Sequence, residues 1–132
     1  MMNIIWMVIY LALAWILVSV ASWGWMYLSA RMNAQLLKSE AFETQSNDGQ
    51  IIDVRDKEPY KRSHILGARN IPAINFSQGK AGLRKDKQIF LYDDNMRNAA
   101  RAAKLLKKQG YKKDNLYILR SGFDQYTGKK TK

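Results

Sequence analysis

The sequence offers few side chains able to do chemistry. It contains no cysteine and a single histidine, His64. Disulfides, thiolate metal sites, thiol redox chemistry, cysteine nucleophiles and any site needing two imidazoles are therefore excluded. The polar groups with informative placement each follow a short apolar run. Asp53 and Arg55 lie at and just after Ile51-Ile52-Asp53-Val54, Asp93-Asp94-Asn95-Met96-Arg97-Asn98 follows Gln88-Ile89-Phe90-Leu91-Tyr92, and Arg120-Ser121-Gly122 follows Leu116-Tyr117-Ile118-Leu119. Runs of this kind read as buried strands. In open α/β sheets, ligands bind beyond the carboxyl ends of the strands, so these three segments define the candidate site.

Asp93 is the pivotal side chain. It precedes a helical pattern, and a helix N-terminus with free backbone N–H groups favours an anion and lowers a carboxyl pKa. Its roles divide into three: a polar turn that caps the helix, a fixed internal anion that holds the loop in shape, and a nucleophile acting on an anionic substrate with Arg55 and Arg97. Aspartate pairs are common in turns, and no metal-ligand spacing accompanies this one. The expectation is therefore a non-catalytic Asp93, with no metal and no cofactor. Arg55, Arg97 and Arg101 are the expected binding residues.

The elements that must position these groups alternate. Gln35-Leu36-Leu37 reads as extended. Ser39 reads as the N-cap of a helix through Gln45, and Asn47-Asp48-Gly49 as a turn. Pro59 interrupts the stretch before Ser63, and residues 77–86 read as loop. Ala99, Ala102, Ala103 and Leu106 fall at helical spacing from residue 98 to 109, ended by Gly110. Strands alternating with helices imply an α/β domain with a mainly parallel sheet.

A second pattern precedes this domain. All 22 Lys+Arg and 11 Asp+Glu fall after residue 30, for a formal net charge of +11. Residues 4–28 carry no charge and as a helix would extend roughly 37 Å, against a hydrocarbon thickness of about 30 Å. Trp23, Trp25 and Tyr27 sit at its end, as interfacial rings do. The expected organisation is a transmembrane anchor over 1–30, a linker and first strand over 31–38, a domain over 35–126 and a basic disordered tail over 127–132. Basic residues follow the span and none precedes it. The expected placement is single-pass in the plasma membrane, with the N-terminus outside and the domain in the cytoplasm.

Arg97, Arg101, Lys104 and Lys108 form one stripe on the helix, opposite its alanines. Anionic lipid headgroups, nucleic acid and plain solvent compete for that surface. No nucleic-acid motif or aromatic platform accompanies it, so nucleic acid is not expected.

Ile51-Ile52-Asp53-Val54-Arg55, with Glu58 and Tyr60, then Ser63-His64-Ile65-Leu66-Gly67-Ala68-Arg69-Asn70-Ile71-Pro72, resembles the N-terminal signature of rhodanese-like domains. Phe90-Leu91-Tyr92, the following loop, Gly110-Tyr111 and Leu119-Arg120-Ser121-Gly122-Phe123 agree in register, with Tyr126 where the family usually has Trp. The resemblance covers residues 35–126. It implies a central parallel sheet of about five strands flanked by helices, with Asp53 and His64 in structural roles. It also places Asp93 where the family carries sulfur on a cysteine, Met96 in place of a glycine, Asn98 in place of an arginine, and Pro59 where an acid is common. A carboxylate forms no persulfide. The resemblance thus implies a pseudoenzyme that binds or scaffolds, with an unidentified protein as partner beside the bilayer expected from residues 4–28.

Overall fold

The computed structural model describes residues 3–79 and 82–131. Of the expectations above, Met1 and Met2 of the anchor, Lys80 and Ala81 of the 77–86 loop, and Lys132 of the tail lie outside the described residues.

Helix α1 (Ile4–Asn33) is followed by β1 (Gln35–Leu37), α2 (Ser39–Gln45), β2 (Gln50–Asp53), α3 (Lys57–Arg62), β3 (Arg69–Asn70) and α4 (Ala73–Ser77). Then come β4 (Ile89–Tyr92), α5 (Arg97–Lys108) and β5 (Leu116–Leu119), with single 3-10 turns at Ser46–Asp48, Lys113–Asn115 and Phe123–Gln125. The five strands form one parallel sheet in the order β1-β5-β4-β2-β3. This is the α/β architecture that the alternating pattern predicts.

Side-chain alternation divides the core in two. Ile89 and Leu91 of β4 and Leu116 and Ile118 of β5 face α1, α4 and α5, against Ala99, Ala102, Ala103 and Leu106. Phe90, Tyr92, Tyr117 and Leu119 face the opposite layer, where Phe42 of α2 meets Phe90 edge-on at 5.5 Å and Tyr126 at 5.9 Å. Strands β4 and β5 are buried throughout, as expected where both faces are covered. The last turn of α5 closes through Gly110, at φ +100°, with Tyr111 N–H donating to the Leu106 carbonyl at 3.0 Å. Pro59 sits in the first turn of α3, where its missing N–H costs nothing.

Three expectations are corrected. There is no loop linker between the apolar helix and the domain: α1 continues to Asn33, and only Ala34 separates it from β1. Its final turns belong to the core, with Ala30 and Ala34 buried and Met26 and Tyr27 packed beside them. Ser39 does not cap α2 through its side chain. Its hydroxyl instead meets Thr127 Oγ1 at 3.0 Å and accepts from Thr127 N–H at 2.7 Å. Residues 127–131 are not a free tail. Leu66 N–H donates to the Lys129 carbonyl and Thr131 N–H to the His64 carbonyl, making an antiparallel bridge between Ile65 and Lys130. The backbone groups of His64 and Leu66 lie beyond any strand and need partners, which the tail supplies, while Ile65 N–H donates to the Tyr92 hydroxyl.

Ala30, fully buried against α5, has no room to grow. Ala30→Leu is expected to destabilise the full chain by about 1–3 kcal/mol, read as a lower thermal midpoint in detergent. Leu17→Ala, at a position exposed along α1, is expected to leave that midpoint unchanged.

Candidate functional site

Asp53, the last residue of β2, is fully buried, and Arg55 two residues on is 6% exposed. The arginine turns back on the aspartate: Nε donates to Oδ1 at 3.0 Å, Nη2 to Oδ2 at 2.7 Å, and Arg55 N–H to Oδ1 at 2.9 Å. Nη2 also donates to the Ser63 carbonyl at 2.6 Å, and Nη1 reaches Asp94 Oδ1 at 3.5 Å. The guanidinium carbon lies 4.1 Å from the centre of the Phe123 ring. Burial works against this cation, but the bonds and charge of Asp53 more than reverse that and raise its pKa. Asn70 locks the backbone of the pair, donating from Nδ2 to the carbonyls of Asp53 and Arg55.

Asp93 directly follows β4 and is 4% exposed. Its Oδ1 accepts from Asp94 N–H at 2.7 Å and its Oδ2 from Asn98 N–H at 3.2 Å, while its carbonyl accepts from Phe123 N–H at 2.9 Å. Here the expected pKa direction is overturned. Burial raises the Asp93 pKa, and the neighbouring Asp94 and Asp53 charges add to it, against the lowering by the two backbone donors. The positive end of α5 is present, but removal from water outweighs it. The nucleophile reading needs Asp93 open at the floor of a pocket. Instead both its oxygens are turned into the loop.

The depression over this region, about 440 Å³, is lined by Arg55, Pro59, Arg62, Ser63, Asp94, Phe123 and Asp124. Asp94 and Asn95 are exposed on the loop, Asn95 Oδ1 accepting from Arg97 N–H at 2.7 Å. Met96 is buried in the core rather than lending flexibility to the loop. Gly122, at φ +83°, lies so close to the Asp94 carbonyl that any Cβ would collide with it. That contact holds the loop against the end of β5.

The expected binding residues are not brought together. Arg97 and Arg101 are exposed on the opposite side of the loop, with Lys104 in a separate cleft against α1. Only Arg55 belongs to the depression. His64 stacks on Tyr60 at 3.9 Å, its Nδ1 lying 2.9 Å from the Tyr60 carbonyl and 3.2 Å from Thr131 Oγ1. Sequence reasoning missed Phe123, Arg62, Ser63 and Asp124. Ser63 enters through its carbonyl and Phe123 through its ring face, and neither contribution leaves a signal in residue type.

The carboxyl ends of the strands share one end of the molecule with the apolar length of α1. Arg120, just past β5, lies 5.3 Å over the Tyr27 ring, while Gln35, past the end of α1, donates to the Asp114 carbonyl ahead of β5. Helix α1 therefore runs opposite to the strands.

A five-stranded parallel sheet in this order, with a loop between β4 and α5 pinned by a glycine turn after β5, defines a rhodanese-type α/β domain. The rhodanese-like domain model matches residues 35–129, and the chain belongs to that family. It is 36% identical over 129 residues to "Uncharacterized protein YqhL" of Bacillus subtilis, covering 98% of this chain and 96% of that one. It is 33% identical over 79 residues to the "Putative sulfur carrier protein YrkF" of the same organism, covering 60% of this chain and 42% of that protein. Among solved structures, the rhodanese-like domain of the Alr3790 protein from Anabaena sp. superposes with a TM-score of 0.64 at 21% identity, over 73% of this chain and 77% of that one. At that identity the likeness is one of fold.

Two measurements check the site. A carbon NMR titration of the Asp93 carboxyl is expected to give a midpoint above the ordinary 3.8. An acid whose pKa is raised by folding stabilises the fold at low pH, and that contribution is lost as pH rises through the raised value. Arg55→Leu strands the buried Asp53 charge and is expected to cost about 3–5 kcal/mol in urea unfolding.

Proposed function

We propose that the chain is a membrane-anchored rhodanese-like module that works by binding and scaffolding, not by sulfur transfer. The observation that carries this is Asp93. It stands where the family resemblance puts the sulfur-carrying cysteine, its carboxylate is consumed by loop amides, and the sequence holds no thiol to replace it. The polar groups at the floor of the depression pair with one another, Arg55 serving Asp53, Ser63 and Asp94, which leaves Arg62 and Asp124 at the rim to meet a protein partner held at the membrane surface.

The anchor reading rests on α1. It is a helix long and apolar enough to cross a membrane. A cleaved signal sequence would have to leave its C-terminal turns behind, because Ala30 and Ala34 complete the domain core. Basic residues cluster on the domain side, which orients that domain toward the cytoplasm of a plasma membrane. The strand ends, and with them the depression, then face the bilayer.

Purified full-length protein is expected to show no thiosulfate–cyanide sulfur transfer above a protein-free control; turnover would sink the proposal. Asp93→Cys alone is expected to stay inactive, because a side chain at 93 is buried and the loop is held by Met96 and Gly122. In membranes, the chain is expected to resist alkaline extraction at its full length.

A further inference from the structure

The basic stripe of α5 does not face open solvent along its whole length. Its first half opens onto a cleft of about 500 Å³, walled on one side by Arg97, Ala100, Arg101 and Lys104 and on the other by Ser22, Trp25, Met26 and Ser29. The α1 residues lie at i, i+3, i+4 and i+7, a single stripe. Lys107 Nζ reaches the Met32 carbonyl at 3.4 Å farther along. The two helices therefore run in the same direction, with Arg97 at the end nearest the apolar length of α1.

Depth and charge then agree. The exposed α1 residues before the cleft, 4–21, extend about 27 Å as a helix, close to the roughly 30 Å of a hydrocarbon core. Ser22, Trp25 and Ser29 fall at the polar boundary, where Trp23 and Trp25 present interfacial rings. Three cations converge there with two hydroxyls, and neither α1 nor α5 contains a carboxylate to neutralise them. Above the cleft, the same stripe of α1 continues as exposed Leu11, Trp15 and Val18, an apolar track for acyl chains.

We propose that this cleft seats the headgroup of an anionic phospholipid, its phosphate held by Arg97, Arg101 and Lys104 and its chains lying along α1. The proposal rests on the reading of α1 as a membrane span, and it adds a specific lipid site to it. A soluble phosphate ion offers the same charge but no chains, so the two sources differ in what they bury. A bound headgroup would brace α5, and with it the Asp93 loop, against the bilayer.

The test uses the full chain reconstituted into vesicles of phosphatidylcholine with and without phosphatidylglycerol. Alkaline extraction first establishes whether the chain is integral. Native mass spectrometry of the detergent-solubilised chain then counts bound phosphatidylglycerol against phosphatidylcholine, with inorganic phosphate as competitor. Retained phosphatidylglycerol, undisplaced by phosphate, is expected. The preference should fall at least about tenfold in Arg97→Gln/Arg101→Gln/Lys104→Gln. It should also fall in Ser22→Phe, which fills the cleft and keeps every charge. Lys108→Gln/Lys112→Gln/Lys113→Gln, with equal charge loss elsewhere, is expected to keep it, and thermal midpoints verify that all variants fold. Release by alkali would overturn the span and this site together. An integral chain that binds both lipids equally, or loses phosphatidylglycerol to phosphate, or responds the same to both triple variants, would overturn the lipid site alone.

Discussion

The Arg55 guanidinium is the point where the chain's separate segments are made to agree. One planar group donates from Nε and Nη2 to Asp53 at the end of β2 and from Nη2 to the Ser63 carbonyl after α3, contacts Asp94 of the loop after β4, and lies over the face of Phe123 from the turn after β5. Burying such a charge is costly unless its partners are complete, so each of those segments must be in place at once. The strand ends thereby become one surface rather than three. The pairing leaves only Nη1, with its single long contact to Asp94, turned toward the depression.

Asp93 shows the complementary constraint. A carboxyl placed at the start of a helix and given two N–H donors is an arrangement that favours the anion, yet burial and the nearby Asp53 and Asp94 charges push its pKa the other way. The loop is thus organised around an internal carboxyl instead of around an approaching ligand. The glycine turn after β5 closes the arrangement, because Gly122 abuts the Asp94 carbonyl and Phe123 N–H binds that of Asp93.

Much of this was legible in residue types. The alternating apolar runs placed β2, β4 and β5 within a residue, the spacing of Ala99, Ala102, Ala103 and Leu106 marked the buried face of α5, and Gly110 marked its end. The uncharged stretch pointed to a long apolar helix. What could not be read was how that helix ends. Its sequence turns polar at Arg31, which suggested a linker, while burial of Ala30 and Ala34 carries the helix into the core. The uniformly apolar α1 has no polar face to set a buried stripe apart, so its docking on α5 leaves no signal in the sequence. Residue type and position group Arg97 and Arg101 with Arg55. Their nearness in sequence to Asp93 hid the fact that α5 turns them to the far side. The tail reads as disordered from composition alone, although its backbone answers the His64 carbonyl and the Leu66 N–H.

The long apolar helix, the paired charges at the strand ends and the loop built around a buried carboxyl are the grounds for proposing a domain that presents a surface and carries no sulfur. The most direct measurement is the intact mass of the full-length chain after incubation with thiosulfate under non-reducing conditions. An unchanged mass is the predicted result. A species heavier by one sulfur atom would contradict the account.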